Sequence, residues 1–219
     1  MTIHNVRTHR GVVMTGSGRG GRATVMSVEI RVMTHEDVLD VSALADRLVG
    51  DDYYTPELVA ETMERSTLSD QVFSYVAVSD GEVVAFRFVL PPGRWEHGRG
   101  EALAPERWGA PFEKTAYFQS CFVDHAVMGQ GIGRRLAHRA LADLKDLGAR
   151  AVVAHSWKES PHGSSLRYLT RLGFEAVAEH PEYWVEVDYT CALDGKPCHC
   201  TAIEVVLNLD PWTPPEATS

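Results

Sequence analysis

Hydrophobic residues recur at helical spacing directly after a glycine-rich stretch in the second half of the chain. Ile132, Leu136 and Ala140 lie four residues apart, which is typical of the buried face of an amphipathic helix. Gly148 follows at the position where glycine commonly ends a helix in a left-handed conformation. The pattern therefore predicts one long helix over residues 132–147.

Turn and cap signals divide the remainder of the chain. Thr55 followed by Pro56 is a typical helix start, and Asp80-Gly81 between two apolar runs predicts a hairpin. The predicted elements are strand 28–33, helices 34–50 and 55–66, two strands within 72–90, strand 115–124, helix 132–147, strand 150–157, helix 164–172, a strand from 174, and a long hairpin over 182–209 that turns at Asp194-Gly195. This order predicts an α/β fold with one right-handed crossover at the long helix.

Both ends of the chain and one internal stretch lack hydrophobic periodicity. Residues 1–26 are rich in Gly, Arg and Thr, which predicts a disordered tail, and Met26 is a second candidate start of translation. One domain is expected over residues 27–209, followed by a loose tail at 210–219. Residues 91–114 carry many Pro and Gly but also two tryptophans, which favours an ordered insertion loop.

The composition and net charge of the chain argue against several classes of protein. The chain has 219 residues, 44% of them hydrophobic, and a formal net charge of −9, which argues against a nucleic-acid-binding protein. An acidic surface suits a cationic substrate, or serves solubility alone. We find no apolar stretch long enough to cross a membrane and no signal peptide, so we expect a cytoplasmic protein. Its four cysteines are then expected to be thiols or metal ligands.

Three glycines at two-residue spacing precede the long helix: Gly129, Gly131 and Gly133. Backbone amides at a helix start have no intrahelical acceptor, and glycine lets an anion approach them closely. A tight turn alone needs only one glycine, so the spacing favours a bound phosphate. Arg134 and Arg135 stand where a dinucleotide fingerprint needs glycine and a Walker loop needs Lys-Ser/Thr, so both of those motifs are excluded.

The stretch "FVDHAVMGQGIGRRL" resembles the Arg/Gln-x-x-Gly-x-Gly/Ala motif of the GCN5-related N-acetyltransferase (GNAT) superfamily, and "YLTRLGFEAV" resembles that family's helix ending in Leu-Gly-Phe. The resemblance covers residues 28–209. It implies a single α/β domain with a mixed, mostly antiparallel sheet flanked by helices. It also implies that acetyl-CoA is the acyl donor, with its pyrophosphate on the amides of residues 129–134 and its pantetheine beside residues 121–123.

The resemblance assigns nine residues to acetyl-CoA. They are Phe122, Val123, Met128, Gly129, Gln130, Gly131, Ile132, Gly133 and Arg134. Met128 departs from the motif, whose first position is usually Arg or Gln. This change costs a side-chain contact and leaves the backbone amides in place.

The residues do not single out one general acid or one general base for the reaction. Many relatives place an acidic tyrosine four residues before the Leu-Gly-Phe glycine, where this chain has Leu169. Tyr168 is therefore the candidate acid, and a buried packing tyrosine is the alternative. Many relatives carry a glutamate base in the strand before the glycines. The residues available here are Gln119, Ser120, Cys121, His125 and His155.

Family geometry places three unusual segments around the acceptor. They are "GDDYYTPE", the insertion 91–114 and "CALDGKPCHC". Asp51 and Asp52, beside two tyrosines, suit a cationic amine or form a solvated connection. Cys191, Cys198 and Cys200 resemble zinc ligands, but their C-x-C spacing is less regular than C-x-x-C. We therefore predict no metal site and leave zinc as the alternative.

The resulting hypothesis is an acetyltransferase that moves an acetyl group from acetyl-CoA to the amine of a small molecule by direct attack in a ternary complex. One alternative is a non-catalytic acyl-CoA-binding sensor, since the usual acid and base positions are changed. Another is a protein lysine or N-terminal acetyltransferase, which would need an open groove. Exposed strand edges suit a homodimer.

Overall fold

A computed structural model describes residues 27–50, 53–95, 103–160, 164–187, 190–191 and 193–215. The predicted disordered tail, residues 1–26, lies outside the described residues. So do the two aspartates proposed for the acceptor, Asp51 and Asp52, and part of the insertion loop, residues 96–102.

Seven strands form one sheet in the order β1-β4-β5-β6-β7-β9-β8, and β2 and β3 form a separate two-stranded hairpin. The elements are β1 (Val28–Val32), α1 (Val38–Leu48), α2 (Pro56–Arg65), β2 (Thr67–Leu68), β3 (Gln71–Val72), β4 (Tyr75–Ser79), β5 (Glu82–Leu90), β6 (Thr115–Val123), α3 (Ile132–Leu147), β7 (Ala151–Trp157), α4 (Ser164–Arg171), β8 (Glu175–His180) and β9 (Ala202–Asn208). All neighbours in the large sheet pair antiparallel except β6 and β7, which are parallel. The predicted mixed, mostly antiparallel sheet is confirmed.

The two faces of the sheet carry different helices because side chains alternate along each strand. On β5, Phe86 and Phe88 join a core with α1 and α2. Ala85 and Val89 point the other way and join the core formed with α3 and α4. The helix face predicted for α3 is buried, and Gly148 ends α3 with φ +90°. We call these surfaces the α1/α2 face and the α3/α4 face.

The residues predicted to cap helix starts form hydrogen bonds there. Thr34 donates its backbone N–H to the Asp37 carboxylate at 2.8 Å, three residues on, before α1. The hydroxyl of Thr55 accepts the backbone N–H of Leu58 at 3.3 Å, and Pro56 occupies the first turn of α2. Among the described residues, no helix is long and apolar enough to cross a membrane.

The insertion loop packs on the α1/α2 face. Trp95 and Trp108 are buried against Val153 and Val206, and their rings lie 5.6 Å apart. Trp95 donates its indole N–H to the carbonyl of Thr115 at 2.8 Å. The described parts of this loop therefore cover the sheet, as the two tryptophans indicate.

The end of the domain differs from the predicted long hairpin. The strand that precedes β9 in the chain and pairs with it is β8, and the described residues of 181–201, which connect the two strands, lie mostly in turns. The turn at Asp194-Gly195 exists, and the two backbone hydrogen bonds between Cys191 and Gly195 (2.8 and 3.0 Å) close it as an isolated bridge rather than as part of a long hairpin. The alternation of apolar residues near residue 183 resembles a strand. Instead, the Tyr183 ring stacks on His155, and Trp184 packs against the buried cysteines.

Beyond β9, part of the predicted loose tail contacts the domain. Arg150 forms an ion pair with Asp210 at 2.7 Å, and Trp212 packs against the core.

Candidate active site

Strands β6 and β7 separate towards their carboxyl ends. They pair only from Thr115 with Ala151 to Phe118 with Ala154, although β6 continues to Val123 and β7 to Trp157. Beyond that point β6 stays paired with β5, and β7 stays paired with β9. A gap therefore opens between the two halves of the sheet. The backbone groups on its β6 side have no strand partner within the described chain, so an elongated polar ligand fits there.

The glycine-rich loop leads from the end of β6 into α3. Gly129 and Gly131 have φ +81° and +75°, a left-handed conformation that favours glycine. A Cβ atom on Gly129 would meet nothing within 4 Å, and one on Gly131 would meet only the Arg134 guanidinium at 3.7 Å. The amides of the first α3 turn therefore lie at an open helix N-terminus, which suits a phosphate.

The nine predicted cofactor residues divide by exposure. Met128, Gly129, Gln130 and Arg134 are exposed, whereas Ile132 is buried in the core. Only the backbone of Ile132 is therefore available to a ligand. The other four residues, Phe122, Val123, Gly131 and Gly133, are half-buried.

Gly133 brings the loop against the wall of the gap. A Cβ atom there would lie 3.5 Å from Val123, 3.6 Å from the Tyr168 ring and 3.8 Å from the Cys121 sulfur. Phe122 points to the opposite face and packs against Phe86. The α3/α4 face of the gap is thus lined by the first turn of α3, one side of β6 and α4.

Tyr168 links three elements on this face. Its hydroxyl donates to the carbonyl of Gly133 at 2.7 Å and accepts from the Arg87 guanidinium at 2.6 Å. Burial raises the pKa of Tyr168 above its ordinary value, and the charge of Arg87 opposes that rise. Leu169, at the family's usual tyrosine position, is buried in the core.

Arg87 is a buried cation that the sequence reasoning missed. It is 2% exposed and lies 4.2 Å from the centre of the Phe118 ring. Among the described residues, no carboxylate lies within ion-pair distance of it. The detectable signal was a lone arginine inside the apolar run "VVAFRFVL".

A bulge in β6 shapes the other face of the gap. Phe88 pairs with Ser120 while Val89 pairs with Phe118, so Gln119 is an extra residue in β6. Tyr54 is buried, and its hydroxyl lies 2.7 Å from the Ser120 hydroxyl and 3.2 Å from the Gln119 amide nitrogen. Tyr54 therefore joins the α1–α2 connection to β6.

Across the gap, His155 lies on β7 on the same α1/α2 face. Its side chain is 2% exposed, and its Nδ1 lies 3.1 Å from the Tyr117 hydroxyl and 3.3 Å from the Tyr183 hydroxyl. Its Nε2 faces the Glu204 carboxylate at 3.7 Å. Burial lowers the pKa of His155, which keeps the imidazole neutral near pH 7.

Glu204 is a fully buried carboxylate on β9 that was also missed. Its carboxylate accepts hydrogen bonds from the indole N–H of Trp108 at 2.6 Å and from the backbone N–H of Ala104. His180 Nε2 lies 2.7 Å from the same carboxylate. Burial acts to raise the pKa of Glu204, but these partners and His155 outweigh it and lower the pKa to about 2. The insertion loop thus fixes a negative charge behind His155.

Comparisons with known proteins agree with this arrangement. The profile of the acetyltransferase (GNAT) family matches residues 42–174, more than half of the chain. A comparison with curated protein sequences finds no significant match.

Solved structures of other acetyltransferases share the fold. An N-acetyltransferase from Staphylococcus aureus Mu50 superposes with a TM-score of 0.60 at 19% identity, covering 84% of this chain and 99% of that chain. The ribosomal-protein-S18-alanine N-acetyltransferase of Escherichia coli gives 0.61 at 15% identity, covering 88% and 99%. The Salmonella typhimurium structure yncA, described as an acetyltransferase with its cofactor acetyl-CoA, gives 0.58 at 20% identity, covering 87% and 99%. The chain belongs to the acetyltransferase (GNAT) family and is an N-acetyltransferase that uses acetyl-CoA.

Proposed function

We propose that the protein transfers the acetyl group of acetyl-CoA to the amine of a small molecule, by direct attack within a ternary complex. The observation that carries this proposal is the gap between β6 and β7, whose β6 side reaches the glycine-rich start of α3 where Gly133 lies against Val123 and Cys121. The described parts of two loops, the insertion 91–114 and the segment 181–201, pack on the α1/α2 face around it. Such a covered face suits a small acceptor better than an extended peptide.

The donor side rests on the α3/α4 face. The first-turn amides of α3 would hold the pyrophosphate, and Arg134 adds positive charge beside them. The unpaired edge of β6 would bind the pantetheine amides along Cys121–Val123. Acetyl-CoA supplies a thioester carbonyl, which the acceptor amine attacks. The amine loses a proton, and the departing thiolate gains one.

We assign the role of proton acceptor to His155, which acts with the hydroxyls of Tyr117 and Tyr183 and with Glu204; we call this set the His155 relay. The tyrosine hydroxyls at its Nδ1 can take a proton from the acceptor and pass one to the neutral imidazole. The Glu204 carboxylate then stabilises the imidazolium. A His155→Gln variant is expected to lose activity most at low pH, where the acceptor amine is fully protonated. An unchanged pH–rate profile would show that the relay is structural.

Tyr168 is the proposed proton donor to the thiolate. Its hydroxyl proton, which the Gly133 carbonyl accepts in this structure, would pass to the sulfur, and the Arg87 guanidinium would stabilise the resulting phenolate. Tyr168→Phe is then expected to lower kcat by about 10²–10⁴-fold, with little change in the KM for acetyl-CoA. If Tyr168 only packs, the variant loses stability while kcat and its pH dependence stay near those of the wild type.

The first test is calorimetric titration with acetyl-CoA. The wild type is expected to bind with micromolar affinity, on the order of −8 kcal/mol, and Gly131→Glu is expected to lose binding. Gly148→Glu is the matched control, because Gly148 also has positive φ but lies at the other end of α3. No binding by the wild type would refute the donor site.

Turnover separates the remaining alternatives. Release of the CoA thiol with small amines, and not with peptides, supports the proposal. Transfer to peptides would favour a protein acetyltransferase, the activity named for the Escherichia coli neighbour. Binding without turnover on any acceptor would favour the acyl-CoA sensor. A homodimer formed through an edge strand and a cytoplasmic location remain predictions, testable by light scattering and fractionation.

A further inference from the structure

Three of the four cysteines lie together in the segment 181–201. Cys191, Cys198 and Cys200 are 6%, 0% and 2% exposed and form a small cluster, against which Trp157 and Trp184 pack. None of the cysteines forms a disulfide. The described part of the segment around them forms turns and one isolated backbone bridge rather than a helix or a strand.

A carboxylate completes this cluster. Asp194 and the three cysteines each offer one ligand atom, and these four atoms lie within 4.8 Å of one another. The sulfurs of Cys191 and Cys200 are 3.6 Å apart. Two sulfurs bound to one tetrahedral zinc at about 2.3 Å lie about 3.8 Å apart, so the spacing fits a shared metal.

The spacing along the chain also fits. Cys191 and Asp194 form a C-x-x-D pair, which corresponds to the usual C-x-x-C with a carboxylate as the second ligand. The tight turn between Cys191 and Gly195 brings this pair together. The three cysteines alone provide one ligand fewer than the four of a structural zinc site, and Asp194 supplies the fourth.

Backbone amides orient two of these ligands. The N–H of Leu193 donates to the Cys191 sulfur at 3.4 Å. The N–H of His199 donates to Oδ2 of Asp194 at 2.9 Å, which leaves Oδ1 for a metal. Hydrogen bonds of this kind hold ligands in place around protein metal sites.

We propose that Cys191, Asp194, Cys198 and Cys200 bind one structural zinc ion. The ion fastens the segment 181–201 to the end of β7, where Lys158 and Glu159 already hold the backbone of Thr201. Thiolate ligands select zinc over magnesium or calcium. The site does not depend on the proposed acceptor chemistry.

Metal analysis of the purified full chain tests the proposal. After loading with zinc chloride and desalting, one zinc per chain is expected by elemental analysis. Cys198→Ser and Cys200→Ser are expected to lose it, whereas Cys121→Ser, the cysteine outside the cluster, keeps it. Zinc-free protein with four titratable thiols, or with a Cys191–Cys200 disulfide, would overturn the proposal.

Two further measurements keep the test independent of misfolding. Asp194→Cys is expected to retain zinc against a chelator at higher concentration than the wild type, because thiolate replaces an exposed carboxylate. Loading with cobalt chloride is expected to give the visible absorption of tetrahedral thiolate-bound Co²⁺. Cobalt binding that Cys198→Ser leaves unchanged would place the metal elsewhere and overturn the assignment.

Discussion

Replacing Tyr168 with phenylalanine removes one hydroxyl from a chain of hydrogen bonds that joins β5, α4 and the first turn of α3. That hydroxyl accepts from the buried Arg87 guanidinium at 2.6 Å and donates to Gly133 at 2.7 Å. Hydrogen bonds to charged groups contribute about 1.5–3 kcal/mol, and a buried charge that loses a partner keeps its desolvation cost. The Gly133 carbonyl keeps its helical partner, so its loss is small.

The expected cost of Tyr168→Phe is therefore about 2 kcal/mol of unfolding free energy. This corresponds to an approximately 30-fold drop in the folding equilibrium constant. Urea unfolding followed by circular dichroism measures it directly. The enzyme is compared without acetyl-CoA, so that ligand binding does not add to the apparent stability.

A double-mutant cycle with Arg87→Met isolates the shared hydrogen bond. Methionine fills similar space without a charge, so Arg87→Met alone is expected to cost less than Tyr168→Phe. In the Arg87→Met background, Tyr168→Phe should cost about 1 kcal/mol less than in the wild type. Additive single-variant effects, within about 0.3 kcal/mol, would refute the inferred link between β5 and α4.

Urea unfolding can test three further features: the left-handed Gly131 before α3, the buried Glu204 carboxylate and the Thr55 cap of α2. Gly131→Ala is expected to lose about 1–2 kcal/mol, because alanine is strained at φ +75°, whereas the helical Gly133→Ala gains up to about 1 kcal/mol. Folding lowers the pKa of Glu204 from 4.5 to about 2, so the ionised carboxylate stabilises the folded protein above pH 4.5. The free energy of unfolding is expected to decrease by about 3 kcal/mol as the pH falls to 2. Thr55→Ala is expected to cost about 1 kcal/mol.

Matched variants make these outcomes decisive. Thr55→Ser keeps a hydroxyl cap and should keep most of the stability of α2. Glu204→Gln should remove much of the acid dependence, whereas Glu106→Gln, an exposed carboxyl, should leave it unchanged. A wild-type protein equally stable at pH 5 and pH 3 would contradict the inferred burial of an ionised Glu204. Equal effects of alanine at residues 131 and 133 would contradict the left-handed cap.

The sequence predicted those elements whose signals are local. Thr55-Pro56 and Asp80-Gly81 need only their neighbours to form a cap and a turn, and both lie where expected. The glycines before α3 also act locally, through backbone conformation. The glycine turn at the start of α3, where we propose that the donor binds, was therefore predictable from one continuous stretch.

The proposed acceptor side depends on contacts between residues far apart in the chain. Glu204 becomes a candidate for a functional carboxylate only when Trp108 and His155 are brought to it from the insertion and from β7. The extra residue in β6, Gln119, appears only when β5 fixes the register. Around Tyr183 one arm of a long hairpin was predicted, but the burial of Tyr183 against His155 and of Trp184 against the cysteines determines the local structure.

The short pairing of β6 and β7 separates the molecule into parts that can change independently. Four residue pairs join the two halves of the sheet at one end of this junction, and the facing surfaces beyond them belong to different loops and helices. Insertions in the loop after β5 or between β8 and β9 reshape one rim without altering the glycine turn on the other. Acceptor choice can thus diverge across a family while the acyl donor stays the same, which fits neighbours that keep the fold at 15–20% identity.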